Sequence, residues 1–386
     1  MIMLVIGNGF DLAHQLPTSY PQFLEFVKMY KADDVSAFPD DNFHKQLSQL
    51  VKQLKFGDHQ TAKEAQAILV RNNYLLDYFL SVFEKRCQER KVGWIDFEAE
   101  LADIIKTFDD ACERTKAANE RGDKRYSLPD AMLSKIAPFI FSNGDYQTAH
   151  FYEFSVELFQ EYAEILLENL RDVTRLFEIY LTEYVERIDV KFRIPDIYQL
   201  GDKIEKVISF NYTDTYRRFY RGTEAVDCCF IHGKTDSDST IDSTNLVLGI
   251  DEFLGSNRED SDNAFIWFKK FYQRIYKNTS SVYIDWLNDD IDEKKSEEEK
   301  LPTYIYFYGH SLDVTDTDVL KMLITHENAV IRIFYHNKEA LAKQIANLVK
   351  VIGRVELIRM TRGRDRKISF IPARPVWDEA FCKMIK

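Results

Sequence analysis

Met3-Leu4-Val5-Ile6-Gly7-Asn8-Gly9-Phe10-Asp11-Leu12 is the stretch that decides the fold. Four apolar residues run straight into a Gly-x-Gly turn, and Phe23, Leu24, Phe26 and Val27 then recur near helical spacing. The pattern is strand, tight glycine turn, helix. Further short apolar runs lie at 206–210, 228–231, 246–250, 304–308, 330–335 and 355–358. Helical patterns such as Ala340, Leu341, Ile345, Leu348 and Val349 separate several of them. Uniformly apolar strands joined by helices predict a parallel sheet covered on both faces. Residues 31–199 differ. Tyr74-Leu75-Tyr78-Phe79-Val82-Phe83 and Ile95-Phe97-Leu101-Ile104-Ile105-Phe108 repeat with a 3.6-residue period, and strand patterns are nearly absent. The expected architecture is an α/β core from residues 1–30 and 200–386, interrupted by an all-helical insertion at 31–199.

Composition fits. The chain has 386 residues, 45% hydrophobic and 30% charged, a balance that excludes wholesale disorder and fibrous folds. Gly 14 and Pro 9 are few while Phe 28 and Tyr 21 are many, which favours long helices over a β-sandwich. A net charge of −12 argues against broad nucleic-acid binding, which needs a basic face against phosphates. The five cysteines, Cys87, Cys112, Cys228, Cys229 and Cys382, are odd in number and lack a Cys-x-x-Cys pair. That argues against a disulfide framework or a cysteine-rich zinc site. No apolar run approaches a membrane span and no secretory signal is evident, so a cytoplasmic protein away from membranes is expected.

In a doubly wound sheet, ligands bind outside the carboxyl ends of the strands. Five predicted strands end in polar or glycine clusters: Gly7-Asn8-Gly9-Phe10-Asp11, Asn211-Tyr212-Thr213-Asp214, His232-Gly233, Gly249-Ile250-Asp251-Glu252 and Gly309-His310-Ser311-Leu312-Asp313. Gly-x-Gly after a strand lets the backbone approach a phosphate at a helix start, although Leu12 stands where the dinucleotide fingerprint has a third glycine. Asp11 opposes a pyrophosphate electrostatically, and can cap the helix, hold a ribose hydroxyl or join a metal site. His232 suits a general base or a ribose contact. Asn211 can orient a water or grip a ribose. Gly309 leaves room for a nucleoside on the backbone, with Ser311 and Asp313 either binding it or capping a helix. His14 is a weaker catalytic candidate. P-loop, His-Glu-x-x-His and Gly-x-Ser-x-Gly motifs are absent.

Leu4 to His14 with Leu16-Pro17-Thr18-Ser19-Tyr20, then Ser209-Phe210-Asn211-Tyr212-Thr213, Ile231-His232-Gly233 and Tyr308-Gly309-His310-Ser311-Leu312-Asp313, closely resemble, in order, the motifs of the bacteriophage abortive infection AbiH family. The same order is similar to the wider sirtuin-like group, which holds NAD on a Rossmann-like sheet. The resemblance implies that Asn211 positions water or ribose and His232 acts as base. It places Gly7, Asn8, Gly9, Phe10, Asp11, Thr213, Asp214, Gly309, His310, Ser311 and Asp313 on the dinucleotide. Thr213 stands where an Asp is usual, with Asp214 one place later.

The expected activity is phage defence by hydrolysis of the N-glycosidic bond of NAD or a related nucleotide, without a metal. One alternative is a nucleotide sensor that signals to a protein partner, or to a second copy, through the helical insertion. Another is a nuclease with Asp11, Asp214 and Asp313 around Mg²⁺.

Overall fold

A computed structural model describes residues 1–89, 95–122, 128–132, 135–136, 156–190, 192–221, 226–250, 263–290, 302–364 and 366–375. It divides into two compact units. The first comprises Met1–Ser19, Leu181–Asp236 and Lys277–Lys386, and the second Tyr20–Tyr180 and Ser237–Tyr276. The boundaries therefore differ from 30/31 and 199/200: residues 20–30 and 237–276 go with the helices, and 181–199 with the sheet.

The first unit is built on a six-stranded, all-parallel sheet, among the described residues: β1 (Ile2–Ile6), β2 (Lys206–Ser209), β3 (Asp227–Phe230), β4 (Thr303–Tyr308), β5 (Ala329–Tyr335) and β6 (Ile368–Pro372). The order across the sheet is β3-β2-β1-β4-β5-β6. β1 is central, with Val5 opposite Ile208 on one side and Phe307 on the other. Successive side chains of a strand point to opposite faces. Met3 and Val5 join Ile305, Phe307, Ile331 and Ile333 in one core, with Leu320, Leu323 and Leu348 from the helices over it. Leu4 and Ile6 join Val207, Tyr308 and Phe334 in a second core, beneath Ile194, Ile197 and Tyr216. Burial on both faces is why β1 reads as an unbroken apolar run.

Two predicted strands are not strands. Residues 355–358 lie in the helix Arg354–Arg362. Leu357 and Met360, three apart, are buried there, while Val355 and Ile358 are exposed. Four apolar residues have no resolvable period, and here the helical face won. The last strand is instead β6, a sheet edge, where Pro372 is tolerated. Residues 246–250 belong to the second unit and form only an isolated bridge, Ile250 with Lys269. The expected site residues after this run, Asp251 and Glu252, lie outside the described residues.

The second unit holds the helices Tyr20–Lys31, Asn42–Phe56, Gln60–Val70, Tyr74–Gln88 and Phe97–Glu120 and most of Val156–Glu183, and aromatic rings join several of them. Phe97 stacks on both Tyr20 and Phe79, each at 4.1 Å between ring centres. Asp41, Asn73 and Asp96 cap three of these helices, which fixes where they start. Arg175, 1% exposed, bonds Glu178 at 2.7 Å, Glu64 at 2.9 Å and the Ser239 carbonyl. Among the described residues no helix is long and apolar enough to cross a membrane.

Candidate functional site

The parallel register brings the C-terminal ends of β1, β2, β3 and β4 to one edge of the sheet, so four of the five expected strand ends converge there. The fifth, after residue 248, belongs to the other unit. Strand order reverses between β1 and β4, which is where a crevice opens in such sheets.

At that reversal the glycines serve backbone packing. Gly7 caps the short helix α1 (Asn8–Ala13). A Cβ on Gly7 would meet the His310 Cα at 2.8 Å, and one on Gly9 the Gly309 Cα at 2.8 Å. Gly309 has φ +69°, and a Cβ there would lie 2.1 Å from the Phe10 nitrogen. The Gly9 N–H donates to the Gly309 carbonyl at 2.8 Å, and the Gly7 N–H to that of Tyr308 at 3.2 Å. These two amides are thus engaged by the β4 turn. Phe10 is buried in the core against Tyr308. Asn8 is exposed and accepts from the Thr18 hydroxyl at 2.6 Å.

His14 is structural. Its Nδ1 donates to the Phe10 carbonyl at 2.7 Å. Its Nε2 accepts from Tyr220 at 2.9 Å, whose oxygen in turn accepts from the Ile194 N–H at 2.7 Å. Burial pushes its pKa down to about 4, so the ring is neutral.

Asp11 does not cap α1, since Gly7 holds that position. Its carboxylate, 1% exposed, instead turns to the end of β2. Oδ2 accepts from Thr213 Oγ1 at 2.5 Å, and Thr215 Oγ1 backs that hydroxyl at 3.0 Å. Oδ1 has no hydrogen-bond partner in the protein. Burial raises the Asp11 pKa to about 6, opposed by Thr213, Thr215, the neighbouring Asn211 and the charge of Arg218. Asn211 is 4% exposed, and neither its Oδ1 nor its Nδ2 makes a hydrogen bond. Buried polar atoms are nearly always paired, and each unpaired one costs about 1–3 kcal/mol, so such a set marks a place for water or ligand.

The second cluster surrounds Asp316. His232 Nε2 donates to its Oδ1 at 2.9 Å, which leaves Nδ1 as the basic ring nitrogen. His310 Nδ1 accepts from the Leu312 N–H at 2.8 Å, so its proton sits on Nε2, 3.6 Å from Asp316 Oδ2. Both rings stand edge-on to Phe210, at 5.6 and 4.2 Å. β2 and β3 pair as far as Ser209 with Phe230, and Asn211 and His232 each follow two residues beyond that pair, at the same edge of the sheet.

The remaining candidates turn elsewhere. Asp214 faces Lys234 at 3.1 Å and Arg217 at 3.7 Å. Asp313 caps the short turn Val314–Asp316 through the Thr315 N–H at 3.4 Å. The Ser311 carbonyl accepts from Asn347 at 3.0 Å, and that of His310 from Gln344 at 3.2 Å. Asp11, Asp214 and Asp313 therefore have separate partners, and no cluster of three or more His, Cys, Asp or Glu able to hold a metal occurs among the described residues. Asp316 and Thr215 were missed from the sequence. Asp316 sits in Asp313-Val314-Thr315-Asp316, which reads as a turn, and its partner His232 is 84 residues away.

No curated protein matches the chain, and no solved structure matches it. A family model does, over residues 3–336, a span that holds β2 to β5, nearly all of β1 and every candidate residue above. Its description is "Bacteriophage abortive infection AbiH", and the chain belongs to that family.

Proposed function

We propose that the protein acts in abortive infection by hydrolysing the N-glycosidic bond of NAD or a related nucleotide at the carboxyl edge of β1–β4. Membership of an abortive-infection family supports the defence role. The strand order β3-β2-β1-β4-β5-β6 is that of dinucleotide-binding Rossmann sheets, the order expected of a sirtuin-like core. The nucleotide would lie across the β1–β4 reversal, with His232, oriented by Asp316, against the ribose. Asp11, Thr213, His310 and Ser311 line the same edge. The observation that carries the reading is Asn211: a buried amide at the end of β2 with no hydrogen-bond partner of its own, which would hold the attacking water. The two carboxylates that the nuclease reading adds to Asp11 are engaged, Asp214 with Lys234 and Asp313 with a turn N–H.

The test is incubation of purified protein with NAD, with and without phage-infected extract, following nicotinamide release. Release that is lost in Asn211→Ala and His232→Ala, with both variants still folded, is expected. Tight nucleotide binding without release under either condition would replace hydrolysis by sensing.

A further inference from the structure

We infer that Asp11 is the general base of this reaction, taking the proton of a water held between its Oδ1 and the Asn211 amide. The inference rests on the hydrolysis proposed above. It moves Asp11 from a nucleotide contact, and His232 from the base, to the roles their surroundings fit.

Three polar atoms carry the argument: Asp11 Oδ1, Asn211 Oδ1 and Asn211 Nδ2. All three are buried and make no hydrogen bond of good geometry, and the Asn211 amide is close enough to Asp11 to favour its anion. A buried water is typically held by roughly two to four polar groups, and this set supplies three. A water there would donate one proton to Asp11 and the other to Asn211 Oδ1. It would accept from Asn211 Nδ2, with one lone pair left to attack. The carboxylate cannot rotate freely, because Thr213 bonds Oδ2 and Thr215 backs Thr213. Oδ1 is thus the oxygen left for the proton. His232, its Nε2–H on Asp316 and its ring edge-on to Phe210, keeps Nδ1 as a basic nitrogen, and the pH profile below separates it from Asp11. It is placed to position the ribose.

The chemistry needs one base and no acid. The C1′–N bond breaks with its electron pair passing to the pyridinium nitrogen, so nicotinamide leaves neutral. The water oxygen bonds C1′, and its proton goes to Asp11 Oδ1 and then to solvent. Burial holds the Asp11 pKa up near 6, offset by Thr213, Thr215, Asn211 and the charged group bearing on it, Arg218. At neutral pH the carboxylate is ionised yet more basic than an exposed one, which suits general-base work.

The experiment is the pH profile of nicotinamide release from NAD for the wild type, Asp11→Asn, Thr213→Val and His232→Gln, with melting curves on each. The wild type should lose turnover as pH falls through about 6. Asp11→Asn should be slower by about 10²–10⁴-fold, the usual contribution of a general base. Thr213→Val removes a hydrogen bond to the anion, so the acidic limb should move to higher pH whatever happens to the plateau rate. His232→Gln should raise KM and leave the limb in place. A limb that vanishes in His232→Gln, or stays put in Thr213→Val, would overturn the assignment while leaving hydrolysis intact. Near-wild-type turnover in Asp11→Asn would do the same. Absence of release by the wild type at every pH removes both.

Discussion

Asp11 and His14 sit one turn apart, and the same burial pushes them in opposite directions. The folded state holds the Asp11 pKa at about 6 against 3.8 for a free carboxyl. It therefore binds more protons than the unfolded chain across that interval, and this contribution to stability is lost as pH rises from 3.8 through 6. His14 falls from 6.5 to about 4. Its contribution is present above 6.5 and lost as pH falls toward 4. At about 1.4 kcal/mol per pKa unit each effect is worth about 3 kcal/mol, and the two nearly cancel. Asp11→Asn removes one side of the balance. Its stability relative to wild type should therefore grow by about 2 kcal/mol between pH 4 and 7, read from denaturant unfolding at both. An unchanged difference would show that Asp11 titrates as an ordinary carboxylate. Asn211 and His232 were legible as site candidates, because polar residues at strand ends are informative by type alone. Asp316 and Thr215 were not, since their value lies in what they touch.

Gly309 joins two elements, the β1–α1 turn and the end of β4. It combines a positive φ with a Cβ direction that runs into the Phe10 nitrogen. Gly122, at φ +69°, shares the conformation but has nothing within 4 Å. Gly309→Ala should cost at least about 3 kcal/mol, from backbone strain plus collision, whereas Gly122→Ala should cost about 1 kcal/mol, from strain alone. Chemical denaturation of both variants tests this, and equal losses would mean that the two turns are not packed backbone to backbone. The glycine turn was visible in the sequence, but its use was not. A Gly-x-Gly turn that admits a phosphate also admits another turn of the same chain. The two misread runs share a cause, because 246–250 and 355–358 are too short to distinguish one period from another.

The two units could be drawn only from contacts. Residues 237–276 follow β3 in sequence yet belong with the helices, where the Ser239 carbonyl meets Arg175. Removing that guanidinium would take an ion pair from Glu178, fully buried, and another from Glu64. Arg175→Met should destabilise the helical unit by about 3–5 kcal/mol, seen as an earlier loss of helical circular dichroism on heating. A variant that melts like wild type would show that the carboxylates find other partners. The sequence by itself determined the parallel α/β core, its first strand, the helical character of most of the second unit and the strand ends that converge. These follow from local periodicity, and from a sheet buried on both faces having no room for polar residues within it. Only the tertiary structure decided that 237–276 leaves the core, that the glycines face each other, and that Asp11 lies against Thr213 with one oxygen unpaired. Each depends on residues far apart in the chain meeting in a low-dielectric interior, where a single missing partner alters a proton's affinity, and no local pattern encodes that.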